Sequence, residues 1–158
     1  MKGLKLFSLL LLMFLFSCGE DSTSSNDDNP NITPGSCSLI LNGGEYSNVK
    51  VEFQSGVGGY NADENQTALS FTGVNQGLVL VITFSGNKAG TYTIGDKNGI
   101  ALTMANGDPI YLTGGTIKVT SYGGFGSYIV GTFSGQAMSP TNPTITVKDG
   151  KFSALRGF

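Results

Sequence analysis

Asp63 and Glu64 are adjacent carboxylates inside the patterned part of the chain, and paired acids are where general acid–base chemistry is first sought. Neighbours on a strand point to opposite faces and neighbours in a loop both face water, so the pair reads as a solvated turn. Ser134, in Phe-Ser-Gly, is the candidate nucleophile, but the chain contains no histidine. That absence removes the base of a serine triad and the commonest metal ligand at neutral pH. Asn61, Asp63 and Asn65 alternate as at the opening of a calcium loop, yet Gln66 stands where that loop needs glycine and Thr72 where it needs an acid. No catalytic residue, metal site or cofactor is assigned, and the chain reads as a non-enzyme.

Aromatic side chains offer binding chemistry instead. "SYGGFGSY", residues 121–128, interleaves Tyr122, Phe125 and Tyr128 with three glycines, and "GVGGY" ends at Tyr60. Rings presented by loops of a β-scaffold can stack on sugars or dock on a partner at low entropic cost. The competing expectation, and the favoured one, is that the tyrosines cap the core while Phe125 folds beneath its hairpin. An exposed Phe125 beside a second exposed ring would reverse that preference.

The amino-terminal residues set the address. Lys2 and Lys5 precede "LFSLLLLMFLF", residues 6–16, apolar except for Ser8. Eleven residues at a helical rise of about 1.5 Å cover about 16 Å, roughly half of a hydrocarbon core, so a cleaved export signal over residues 1–17 is expected rather than a span. Leu15-Phe16-Ser17-Cys18 resembles the lipobox of bacterial lipoproteins. The resemblance implies that the Cys18 sulfur takes a diacylglyceryl group as a thioether and that its freed amine is then acylated, giving the two or more chains that stable anchoring requires. An ordinary secretory site with a leftover thiol is the alternative. If Cys18 is acylated, Cys37 has no intrachain partner; it reads either as a small buried apolar residue or as a reactive thiol.

Residues 18–36 carry the lipidated cysteine and "GEDSTSSNDDNPNITPGS", too polar to bury and expected to be a disordered tether. Glu20 and Asp21 resemble the surface-export signals of Bacteroidota lipoproteins, and Asp21-Ser22-Thr23 resembles an O-glycosylation motif of the same phylum. Formal net charge is −2, but the tether carries Glu20, Asp21, Asp27 and Asp28 without a base, whereas seven basic and seven acidic residues balance from Cys37 onward. A neutral domain on an acidic string has no footprint for nucleic acid, which needs a basic stripe.

From Cys37 to the end the dominant period is two. "CSLILN" and "EYSNVKVEF" flank Asn42-Gly43-Gly44, a turn signal. "ALSFTG" places Leu69 and Phe71 inward, and "LVLVITF" is apolar on both faces, as in a central strand covered on both sides. "TYTI", "IALTMA", "PIYLTG", "TIKVTSY", "SYIVGTFSGQA", "TITVKD" and "KFSALR" follow, separated by Gly, Asn and Asp clusters. About ten short strands predict an all-β domain over residues 37–158, an antiparallel β-sandwich or, alternatively, a β-barrel. Asp149-Gly150 reads as a two-residue hairpin turn, placing Val147 opposite Phe152, Ile145 opposite Ala154 and Lys148 opposite Lys151.

"GTFSG", a proline-bearing loop and "ITVKDGKF" together resemble a family of Bacteroidota lipoproteins of unknown function that joins a lipobox, a polar tether and one β-domain. The resemblance implies the fold and a bacterial outer-membrane address through acyl chains on Cys18; the leading reading is an accessory binding or structural role, with outward display expected from Glu20 and Asp21. It carries no site residues. A glycan-binding module using the aromatic loop is the alternative reading.

Overall fold

The computed structural model describes residues 31–75, 77–105 and 107–158. The expected export signal, Cys18 and most of the expected tether lie outside the described residues. Nine strands and no helix are formed among them: β1 (Cys37–Gly43), β2 (Tyr46–Asn61), β3 (Gln66–Gly73), β4 (Val79–Ser85), β5 (Gly90–Thr93), β6 (Gly99–Thr103), β7 (Pro109–Tyr122), β8 (Tyr128–Met138) and β9 (Ile145–Arg156). Their order is β5-β7-β6-β4-β3-β2-β1-β9-β8, and β7 also pairs with β8. That last pairing closes eight strands into an antiparallel barrel, with β5 added beside the upper part of β7. The barrel, not the sandwich, is the arrangement this sequence adopts.

Closure follows from bent strands. β2 carries an extra residue against β1 near Asn48 and another against β3 near Ser55, and both residues have positive φ, 51° and 55°. β7 has two such irregularities, one between Leu112 and Gly114 and one between Val119 and Ser121, and β9 has one at Asp149, φ 50°. Each bulge adds twist and bends its strand, so long strands can wrap round a corner where straight ones would splay into an open sheet. A row of paired residues leaves β8 at Tyr128, passes Leu155, Val57, Ser70, Val81, Ala101 and Tyr111, and returns to β8 at Met138, ten residues on. Such a stagger requires strands tilted by about 35–45° to the barrel axis.

Asp149-Gly150 is therefore not a turn. β9 runs straight through it, with Lys148 beside Ile40 and Lys151 beside Ser38 of β1, so the two lysines never face each other. The side-chain faces come out as the hairpin reading placed them, because a bulge also reverses the alternation: Ile145, Val147, Phe152 and Ala154 are all buried. Nor is β4 covered on both sides. Leu80, Ile82 and Phe84 are buried inside, while Val79 is exposed and Val81 half-buried on the outer wall. A barrel of eight strands has an interior just wide enough for side chains to fill, and Phe53, Phe71, Phe84 and Phe152 fill this one. Small residues make the room: a Cβ on Gly131 would stand 2.6 Å from the Phe152 ring, and one on Gly56 would run into Phe71.

The chain joins the barrel at a seam. Beyond the start of β1, β2 and β9 pair directly and in parallel, Val57 with Leu155 and Gly58 with Arg156. There the Gly56 amide donates to the Gly35 carbonyl (2.9 Å) and the Ser153 amide to the Ser36 carbonyl (2.8 Å). Gly35 and Ser36 are thus hydrogen-bonded to β2 and β9.

Candidate functional site

The end of the barrel that holds the seam also gathers the four aromatic candidates, through β2, the β7–β8 hairpin and the end of β9. They divide into two pairs. Tyr60 sits opposite Thr67, which is fully buried, and cross-strand partners share a face, so Tyr60 belongs to the barrel mouth; its hydroxyl donates to Asn65 Oδ1 at 2.7 Å. Tyr122 closes the same mouth. Its ring meets Phe84 edge-on with centroids 6.3 Å apart, and its hydroxyl is 2.9 Å from Thr67 Oγ1, which in turn donates to the Gly86 carbonyl at 2.6 Å. The Arg156 guanidinium lies 5.2 Å from the centroid of the Tyr122 ring and donates from Nη1 to the Gly123 carbonyl at 3.1 Å. Both tyrosines have their polar ends satisfied at the core's edge, as the capping expectation has it.

Phe125 and Tyr128 face the other way. The Ser127 amide donates to the Gly124 carbonyl at 3.0 Å and Gly126 has φ 77°, which makes residues 124–127 a tight turn with glycine at the position that needs positive φ. Phe125 is held out at its corner with 77% of its surface exposed, not folded beneath the hairpin. The turn is pinned to the end of β9 on both sides, Gly126 donating to the Arg156 carbonyl and Arg156 to the Ser127 carbonyl, each at 2.8 Å. Tyr128 opens β8 on the outer face, since its neighbour Ile129 points inward and is fully buried.

Three further apolar groups share this end and carry no signal in a period-two reading. Val51 and Phe53 face inward, and strict alternation would bury Val57 as well; the bulge at Ser55 turns it out, where it is 48% exposed. Leu155, its paired neighbour, is half-buried on the same outer wall. Phe158 lies against Gly59, where a Cβ would run into its ring, and is itself 69% exposed. Only knowledge of the bulge would have placed Val57 correctly from the sequence. A cleft of about 450 Å³ separates Tyr128, Val57 and Leu155 from Thr33–Ser36 of the tether.

Elsewhere the chemistry is sparse. Asn61 Oδ1 accepts from the amides of Asp63 (3.0 Å) and Glu64 (3.4 Å), so the side chain of the calcium-like pattern organises a turn, and both acids are exposed in it. Ser134 is exposed on the outer wall. Cys37 is buried at the start of β1, and that burial pushes its thiol well above the ordinary value. A groove of about 410 Å³ lies between residues 31–33 and the wall formed by β1 and β2, lined by Glu52 and Lys151. Lys50 and Glu52 form an ion pair at 2.6 Å that is solvent-exposed and so adds little stability. Compared with protein-family models, with curated proteins and with solved structures, the chain matches none.

Proposed function

We propose that this chain is a lipid-anchored protein of the bacterial outer membrane whose barrel acts as a binding or structural accessory module without catalysis. The observation that carries the reading is Leu15-Phe16-Ser17-Cys18 at the close of a short apolar leader and ahead of an acidic tether. The domain supports it in two ways. Its interior is packed with apolar side chains while threonine, serine and lysine occupy most of the outer wall, the reverse of a barrel that spans a membrane, whose outward face is apolar and lumen polar. It therefore suits hanging from a bilayer rather than crossing one. Its phenylalanine-filled interior also leaves binding to the outer surface.

The test is chemical. Cells grown with an alkynyl fatty acid should label the chain, and Cys18→Ser should abolish both the label and partition into detergent. A mature amino terminus with an unmodified Cys18 would overturn the reading.

A second reading has its own observation. Phe125, exposed three residues before an exposed Tyr128, is the condition under which the aromatic loop reads as a ligand platform rather than a cap, and a glycan is the ligand such rings suit. Affinity electrophoresis through polysaccharide gels checks it: retardation lost on Phe125→Ala supports a glycan reader, and migration unaffected by any sugar removes it.

A further inference from the structure

We infer that the seam end of the barrel, with Phe125, Tyr128, Val57 and Phe158, rests on the surface of the bilayer that holds the acyl chains on Cys18. The inference rests on the lipid anchor proposed above and adds an orientation to it.

Three observations lead there. Four exposed apolar groups lie on adjoining elements: the β7–β8 turn (Phe125), the start of β8 (Tyr128), the second half of β2 (Val57) and the residues after β9 (Phe158), with exposures of 77%, 38%, 48% and 69%. The chain meets the barrel beside them, Thr33–Ser36 forming one wall of the cleft whose other side is Tyr128, Val57 and Leu155. Only Gly19–Pro30, twelve residues, separate Cys18 from Asn31, the first described residue, which lies against Ser38–Ile40 of β1 a few residues from the seam; that length reaches roughly 45 Å at full extension. Met138, at the far end of β8, is ten residues from Tyr128, about 33 Å along the strand and about 25 Å along the barrel axis at the strands' tilt. A linker of that length puts the seam end within reach of the headgroups.

The chemistry of the patch fits an interface. Tyrosine and phenylalanine place an apolar ring at headgroup level, and tyrosine keeps its hydroxyl in water. The arginine of this end, Arg156, is turned onto Tyr122 and Gly123 instead of outward, so contact would come from apolar insertion and not from attraction to anionic lipid. Single rings of this kind bind weakly by themselves; joined to an anchor, they act at the high effective concentration that a short linker provides.

The chain contains no tryptophan, so one introduced ring reports without background. The mature, lipidated protein carrying Phe125→Trp is reconstituted in vesicles of phosphatidylethanolamine and phosphatidylglycerol, with and without lipids brominated in the acyl chain, and compared with Tyr111→Trp on the outer wall beside Met138. Both positions are exposed, so neither exchange enters the packed interior. Docking predicts that emission at position 125 falls about twofold with brominated lipid, as insertion by ~5–10 Å requires, while emission at 111 is unchanged; Tyr128→Glu in the Phe125→Trp background restores the signal. Sedimentation of the same samples reads the anchor separately. Protein that pellets with vesicles but shows equal quenching at both positions, or none, overturns docking and leaves the anchor standing. Protein that stays in the supernatant overturns the anchor and docking together. A signal at 125 that ignores brominated lipid but shifts on adding polysaccharide overturns docking in favour of the glycan reader.

Discussion

Two side chains define the extremes of what a residue contributes here. Phe71 is fully buried among the strands and Phe125 is 77% exposed, so the same substitution should have opposite consequences. Phe71→Ala should cost about 3–5 kcal/mol, transfer and cavity together; Phe125→Ala should change stability by no more than about 0.5 kcal/mol. Urea titrations of the two variants decide it, and a large loss for Phe125→Ala would mean that the ring packs in solution. Cys37 makes a pH prediction. Burial raises its thiol in the folded state, while an unfolded thiol ionises near about 8.5. Above that value the unfolded chain holds fewer protons than the folded one, so stability is intact below it and declines as pH rises, by up to ~1.4 kcal/mol per pH unit. Tyr46 and Tyr92 are also raised by burial, but ordinary tyrosine ionises near about 10, so the window between the two values reports Cys37. Denaturation midpoints at stepped pH should decline there in the wild type and stay flatter in Cys37→Ala.

At the scale of elements, the sequence shows strand content and facing well and strand boundaries poorly, for one physical reason. Glycine, asparagine and aspartate with positive φ serve both a two-residue hairpin and a bulge, and the local chain is the same in either. "PIYLTG" and "TIKVTSY" read as two strands divided at Gly114-Gly115, yet β7 passes through both because β8 pairs with Gly114 and Gly115 themselves and with the residues on either side. "KVEF" and "GVGGY" are likewise one strand through Ser55, and "TITVKD" and "KFSALR" one strand through Asp149. Distant partners decide between turn and bulge, and no local signal carries them. The aromatic site inherits this limit: Tyr122 and Tyr128 are separable into cap and surface only once the parity across each bulge is known. Gly114 and Gly115 give the sharp test. A Cβ on Gly114 meets nothing within 4 Å, whereas Gly115 has φ 125° and its Cβ would run into the Ser134 carbonyl. Gly114→Ala should be neutral or stabilising by a few tenths of a kcal/mol, and Gly115→Ala should cost more than about 1 kcal/mol. Equal midpoints for the pair would show that the close approach of Gly115 to the Ser134 carbonyl is not held in solution.

For the whole molecule, the order of the strands and the point of attachment bear on each other. β9, the last strand, lies between β1 and β8, and β7 closes on β8, so the wall is complete only when sequence-distant strands have met. The seam between β2 and β9 is where that wall has the fewest ladder bonds of its own, two residue pairs in parallel, and it is here that Gly35 and Ser36 supply their carbonyls to Gly56 and Ser153. Ser153 is buried, and a buried amide left without an acceptor costs about 1–3 kcal/mol. A chain beginning at Asn31 should therefore keep the stability of the longer protein, while one beginning at Cys37, shorter by only six residues, should lose about 1–3 kcal/mol. It should also exchange the Gly56 and Ser153 amides with solvent faster. Urea midpoints and hydrogen exchange of those two amides read the outcome directly. If both chains unfold together with the two amides equally protected, water replaces the lost carbonyls and residues 35 and 36 merely lie along the wall. If the shorter chain is weaker at those amides, the end of the tether is part of the barrel, and any pull from a lipid anchor reaches the fold first at the β2–β9 seam, beside the rings of Tyr128 and Phe125.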